Sequence, residues 1–259
     1  MLIIDTHCHA GRSWFEPIEI LELEMDRNGV HKAVLIQHGG TYDNNYLLQE
    51  AAWRPGRFKV AALVDPESPD PLGDLARLAE RGAAGVRIAP DGRFAKAGPY
   101  DMWRRAGDLG LVVTSLGKVS EFASADFARV LDACPDTHVI LEHLAGAGID
   151  EPPYADFAAA LRHGERGNTS IKVPGLGEIC SRPPRLLPEL VFDHVPPLFE
   201  MARDAFGVKR MMWGSDFPPS AAREGYANTL RGVMDHPAFA GGDDIEWVMG
   251  RTAERTWGF

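Results

Sequence analysis

Four residues of this chain have the types and spacing that chemistry at a carbonyl group needs. The segment Asp5-Thr6-His7-Cys8-His9 ends an apolar run, and a spacing of two puts the His7 and His9 imidazoles on one side of an extended strand. Two imidazoles so placed can share one metal ion or one substrate oxygen. His143 ends another apolar run, in Leu141-Glu142-His143-Leu144-Ala145-Gly146, as a candidate base, electrophile or ligand. Asp216 ends a third, in Met212-Trp213-Gly214-Ser215-Asp216-Phe217-Pro218. A carboxylate there is costly unless it is paired, coordinated or catalytic. As a base it could take a proton from water, and as a ligand it could hold a metal. Each residue also has a plainer explanation. His7 and His9 could be unrelated, His143 could be a core histidine, and Asp216 could be a helix N-cap. His138, at the opposite end of its run, is expected to be structural.

Cations mark other runs. Arg87 ends one (Gly85-Val86-Arg87-Ile88), Lys172 lies within another, and Lys118 and Arg182 sit in the segments beyond. Arginine suits two-point recognition of carboxylates. The expected substrate is therefore a small anion, with Arg87, His38, Lys172 and Arg182 as its binding residues. Surface salt bridging is the alternative for Lys118 and Arg182. For Arg87 and Lys172, in buried strands, it is pairing with an internal carboxylate such as Asp5 or Glu178. Tyr42 and Asn44 could touch substrate, and Trp14 and Phe15 could wall a pocket.

The elements that must position these groups are legible as eight short apolar runs, at 2–8, 32–38, 58–64, 84–89, 111–115, 138–143, 169–173 and 210–215. Several are rich in Val and Ile without alternation, as strands buried on both faces are. Amphipathic stretches separate them, such as 70–81, where Leu72, Leu75, Ala76 and Leu78 fall at helical spacing before Gly82. Strand and helix alternating at roughly 25–30 residues per unit predict a (β/α)8 barrel, also called a TIM barrel, with catalysis at the C-terminal strand ends. The rival, an open doubly wound sheet, expects a glycine-rich phosphate turn after the first strand, where this chain has His-Cys-His-Ala-Gly. No linker or repeat divides the chain, so residues 1–259 are expected to form one domain. The proline-rich segment 175–197 is a candidate lid or oligomer contact.

With 259 residues the chain is long enough for a sizeable core. Its net charge of −10 argues against nucleic acid or an anionic membrane as partner. Cys8, Cys134 and Cys180 are odd in number and far apart, so neither a disulfide framework nor a zinc-finger spacing is expected. That usage, and an N-terminus without a basic start or long apolar stretch, lead us to expect a cytoplasmic protein. A homo-oligomer is compatible with all of this.

The His-x-His strand end, Glu-His-Leu-Ala-Gly at 142–146, Lys-Val-Pro-Gly-Leu-Gly-Glu at 172–178 and Trp-Gly-Ser-Asp-Phe-Pro at 213–218 together resemble the amidohydrolase-related branch of the amidohydrolase superfamily. The resemblance spans essentially the whole chain. It implies a deformed (β/α)8 barrel and metal-dependent decarboxylases or lactonases of pyrone-dicarboxylate and sugar lactones as relatives. His7 and His9 match the first-strand pair, His143 the sixth-strand histidine and Asp216 the eighth-strand carboxylate. One departure matters. Where metal-dependent members carry a histidine or a carbamylated lysine, this chain has Thr114-Ser115 and Arg87, and Arg87 cannot be a ligand. The implied cofactor is one divalent metal, zinc above others, on His7, His9, Asp216 and His143, or none. A binuclear centre is not expected. The usual Asn-Ala pair of the last helix is Thr252-Ala253 here.

The expected activity is hydrolysis of a small carboxylated lactone or ester. Asp216 would activate water, His7, His9 and His143 would polarise the carbonyl, and Arg87 would bind a substrate carboxylate. The rivals are a zinc-dependent nonoxidative decarboxylase of an aromatic or muconate-type acid, and a non-catalytic binding barrel.

Overall fold

Each apolar run contains one strand. They are β1 (Ile4–Cys8), β2 (Lys32–Ile36), β3 (Phe58–Ala62), β4 (Gly85–Arg87), β5 (Val112–Ser115), β6 (Val139–Leu141), β7 (Thr169–Val173) and β8 (Met211–Trp213). The computed structural model describes residues 1–187 and 189–259. All neighbouring strands are parallel, in the order of the sequence. The ring closes just beyond β8. There Cys8 bridges Phe217, the Asp216 amide donates to the His7 carbonyl (2.7 Å) and the His9 amide to the Phe217 carbonyl (2.8 Å). The fold is a (β/α)8 barrel, and its seam runs through the residues that the sequence singles out.

Helices cover the outside of the sheet, as their apolar faces require. In Pro71–Glu80 the Asp70 carboxylate accepts from the Gly73 amide (3.1 Å) to start the helix, and Leu75 and Leu78 are buried. The predicted helix 70–81 is therefore present. Inside the barrel, Ile4, Val34, Ile36, Ala61, Val112, Ile140 and Met212 form one apolar layer, plugged from below by Ala253 and Trp257 of the last helix. Gly85 permits that plug, since a Cβ there would lie 2.5 Å from the Val112 carbonyl oxygen and 2.8 Å from the Trp257 ring.

Strand periodicity sets what lies above this layer. Two residues on from inward-facing Val112 and Ile140 come Thr114 and Glu142, and Arg87 and Lys172 join them at the same level. The register of β1 slips between Asp5 and Cys8. Strict alternation from inward-facing Ile4 would send Thr6 and Cys8 inward, and the slip turns His7 and His9 to the interior instead.

Segment 175–197 contains a short helix, Leu176–Ile179, and precedes the helix Leu198–Phe206. Within it Pro188 lies outside the described residues. Among the described residues the three cysteines are free and buried, and no helix is long and apolar enough to cross a membrane.

Candidate active site

His7, His9, His143 and Asp216 meet at the C-terminal mouth of the barrel. Asp216 Oδ1 lies 3.6 Å from His9 Nε2 and 3.8 Å from His7 Nε2. The His7 ring centre is 5.0 Å from that of His9 and 4.4 Å from that of His143. His7 and His9 are buried, and Asp216 is 9% exposed. Two of these residues hold unusual backbone. Asp216 has φ 54°, and His143, Leu144 and Ala145 have φ 51°, 49° and 52° before Gly146 at 69°. Left-handed conformations cost roughly 1–2 kcal/mol per non-glycine residue. Such outliers gather where surrounding structure over-determines them, as at a functional site. Asp216 is no helix cap. The next helix, Pro219–Arg223, is preceded by Pro218, and the Asp216 carboxylate faces the histidines and Arg223.

Hydrogen-bond directions assign the ring protons. His9 Nδ1 lies 2.7 Å from the Ile36 carbonyl oxygen, which only accepts, so Nδ1 carries a proton and Nε2 is the atom that faces Asp216. His143 Nδ1 lies 2.9 and 3.0 Å from the two Glu178 oxygens and donates to them. Burial alone would lower the His143 pKa, but Glu178 first, then Asp216 and Glu142, outweigh it and raise it above the ordinary value. His7 is the reverse case. Burial, then Lys172, His143, His9 and Arg87, lower its pKa well below the ordinary value. Burial opposes ionisation of Asp216, yet His9, His143 and Arg223 lower its pKa below the usual carboxylate value. Asp216 is therefore a carboxylate at neutral pH.

Beneath the histidines lies a layer that the sequence reading missed. Glu142, fully buried, accepts from Arg87 Nε (3.0 Å) and NH2 (2.7 Å), from the Thr114 hydroxyl (2.6 Å) and from Lys172 Nζ (3.5 Å). Burial opposes its ionisation, but Arg87 and Lys172 hold it well below the usual carboxylate range. Burial also brings Lys172 down to about 8. This corrects two expectations. Arg87 is not free to grip a substrate carboxylate, because its two-point face is on Glu142 and its NH1 is 3.3 Å from the Gln37 carbonyl oxygen. The internal partner of Arg87 and Lys172 is neither Asp5 nor Glu178. Asp5 accepts from Ser215, Tyr226 and the His7 amide, and Glu178 binds His143 and Arg223.

Arg223, also missed, ties the centre together. Its NH1 lies 3.2 Å from Asp216 and 3.3 Å from Glu178, and its Nε donates to Glu224 (2.7 Å). It lines a cavity of about 480 Å³ with Arg182, whose NH1 donates to the Ala222 carbonyl. Arg182 thus sits at the outer mouth, apart from the histidines. His38 lines a separate cavity of about 300 Å³, edge-on to Phe15 (4.7 Å), and Phe15 in turn stacks on His9 (5.2 Å). Trp14 lines the same cavity and is exposed. Asn44 is structural, clamping the Leu63 backbone through both ends of its amide. His138 is 3.1 Å from Ser170, and burial lowers its pKa to about 4.

His7, His9 and Asp216 each offer a ligand atom within 4.8 Å of one another, as do His143, Glu178 and Asp216, and His7, Glu142 and His143. The first set has the donor types for one divalent ion. The fit is incomplete at one atom. Lys172 Nζ lies 3.0 Å from His7 Nδ1, and an ammonium donating there leaves the His7 proton on Nε2, where an ion would need a lone pair.

A family model described as amidohydrolase matches residues 4–259. No curated protein matches the sequence. Among solved structures, an amidohydrolase from Burkholderia multivorans with bound zinc is 19% identical, with a TM-score of 0.82 and 100% of both chains covered. A probable 2-pyrone-4,6-dicarboxylic acid hydrolase from Acinetobacter baumannii, with citric acid bound, is 19% identical, with a TM-score of 0.74 and 100% of both chains covered. The 5-carboxyvanillate decarboxylase of Sphingomonas paucimobilis is 14% identical, with a TM-score of 0.66 over 100% of this chain and 99% of that one. At these identities the likeness shows the fold.

Proposed function

The chain belongs to the amidohydrolase family and is an enzyme, and on that premise we propose that it hydrolyses a small carboxylated lactone or ester. One observation carries the reading. An ionised aspartate and three imidazoles surround one point at the barrel mouth, with Asp216 Oδ1 at 3.6 and 3.8 Å from two of them. Asp216 takes a proton from water as the water oxygen attacks the carbonyl carbon. The carbonyl oxygen gains negative charge, and His7, His9 and His143 surround it. His143, whose pKa is raised, meets that charge best. Collapse breaks the bond to the ring or ester oxygen, which takes the proton held by Asp216 and leaves as an alcohol.

With Arg87 committed to Glu142, a substrate carboxylate falls to Arg182 at the outer cavity, beside Arg223. The citric acid in the Acinetobacter neighbour and that protein's dicarboxylate name support an anionic substrate. A divalent ion would have His7, His9 and Asp216 as its candidate ligands and would supply Lewis-acid polarisation of the carbonyl, but His7 does not fit that role while Lys172 donates to its Nδ1.

A second reading, nonoxidative decarboxylation, is supported by the fold shared with the Sphingomonas decarboxylase. Membership of an enzyme family removes the third, a non-catalytic barrel. A panel of carboxylated lactones and aromatic acids separates the first two. Hydrolysis is followed by proton release and decarboxylation by carbon dioxide, before and after chelation, with metal content measured alongside. Hydrolysis of at least one carboxylated lactone or ester is expected; carbon dioxide release with no hydrolysis would replace the reading.

A further inference from the structure

We propose that Lys172 is a positioning residue that fixes the His7 proton on Nε2, so that His7 offers the reacting centre a hydrogen-bond donor in place of a metal ligand. The inference rests on the reading above, in which the four residues form the reacting centre.

The geometry is that of a buried pair. Lys172 and His7 are each 2% exposed, and Nζ lies 3.0 Å from Nδ1. An ammonium has three donors and no acceptor, so the contact requires a lone pair on Nδ1. The imidazole then keeps its proton on Nε2. Glu142 lies against the same Nζ and takes another of its donors. Its Oε1 is 3.5 Å from Nζ, while Arg87 and the Thr114 hydroxyl occupy its other directions. Glu142 cannot itself accept from His7 Nδ1, because that contact is 3.6 Å and Lys172 occupies the position.

His9 and His143 show the opposite arrangement. Each donates Nδ1–H to an oxygen, the Ile36 carbonyl or the Glu178 carboxylate, and keeps Nε2 for the centre. That is the usual arrangement behind a metal-bound histidine. At His7 a donor replaces the acceptor, and the tautomer is inverted. The consequence is visible at the other end of the ring. His7 Nε2 is buried with no hydrogen-bond partner among the described residues, and the nearest carboxylate oxygen is 3.8 Å away. A buried N–H without an acceptor is costly. A carbonyl oxygen entering the centre would supply the acceptor, and the bond would strengthen as that oxygen becomes negative. A metal ion would instead have to displace the proton and sit over two buried cations.

Two measurements test this, and neither uses turnover, so failure of the lactone reading leaves them intact. The first is the side-chain ¹⁵N spectrum of the wild-type protein. It should show His7 protonated at Nε2 and His9 protonated at Nδ1; His7 protonated at Nδ1 would overturn the proposal. The second is zinc binding by calorimetry to wild type, Lys172→Met and Lys172→Arg. Met removes the donor and frees the tautomer. Arg keeps a cation that donates and cannot accept. Partners of this kind alter metal affinity by about 10- to 100-fold. Lys172→Met should bind zinc tighter by that factor and Lys172→Arg close to wild type. Equal gains in both would mean that the donor to Nδ1 does not set zinc affinity, and no gain in Met would remove the role; either result overturns the proposal. If Lys172→Met fails to fold, the wild-type spectrum decides alone.

Discussion

Replacing Glu142 by Gln should be the most destabilising conservative change in the barrel. The carboxylate is fully buried, yet it answers two buried cations, at 2.7 and 3.0 Å from Arg87 and 3.5 Å from Lys172, and takes the Thr114 hydroxyl at 2.6 Å. The amide keeps the volume and removes the charge. Breaking one side of a buried ion pair costs about 3–5 kcal/mol, because the remaining charge is left without compensation. At about 2–4 °C per kcal/mol for a chain of this size, the melting temperature should fall by about 6–20 °C. The pH dependence follows from linkage. The Glu142 pKa is lower in the folded than in the unfolded state, so its stabilisation is complete above the unfolded value of 4.5 and is lost as pH falls towards the folded one. The gap between variant and wild type, measured by urea unfolding, should be widest near neutral pH and narrow below 4.5. A Glu142→Gln protein within about 1 kcal/mol of wild type would refute the reasoning, since such a small loss is typical of exposed ion pairs.

Two further outcomes are expected. Glu178→Gln should lower the NMR titration midpoint of His143. The stabilisation that His143 gives in wild type below pH 6.5, lost as pH rises through its raised folded value, should shrink with it; an unmoved midpoint would take Glu178 out of that role. Arg182→Met should raise KM for a carboxylated substrate well above its effect on the neutral ester, and equal effects would make Arg182 structural.

The barrel was legible because strands buried on both faces leave unbroken apolar runs, and all eight lie within the stretches read from the sequence. The runs overshoot where polar residues follow: 138–143 contains only Val139–Leu141 as strand, and the chain then enters the left-handed turn at His143. His7, His9, His143 and Asp216 were legible from their places at strand ends. The slip in β1 was not, because pairing with β2 sets it, and the spacing of two between His7 and His9 hides it. Glu142 was missed for lack of one accounting step. Two cations in buried strands require an internal anion, and Glu142, two residues beyond inward-facing Ile140, stands at their level. Arg223 gave no local signal. It lies in a short helix with ordinary composition, and only the closure of the barrel brings it to Asp216 and Glu178.

The central claim is that Asp216 is the base that activates water, and Asp216→Asn tests it most directly. The change keeps size and much of the hydrogen bonding while removing the capacity to take a proton. Losing a general base costs about 10²–10⁴ in rate. The measurement is kcat on a carboxylated lactone or ester that the wild type turns over, with substrate affinity, melting temperature and metal content on the same preparation. A fall in kcat of that size is expected, with near-normal affinity and melting temperature and no restoration by added metal. Activity lost together with bound metal, and partly restored by adding it, would make Asp216 chiefly a ligand. A fully active, normally stable variant would contradict the account outright.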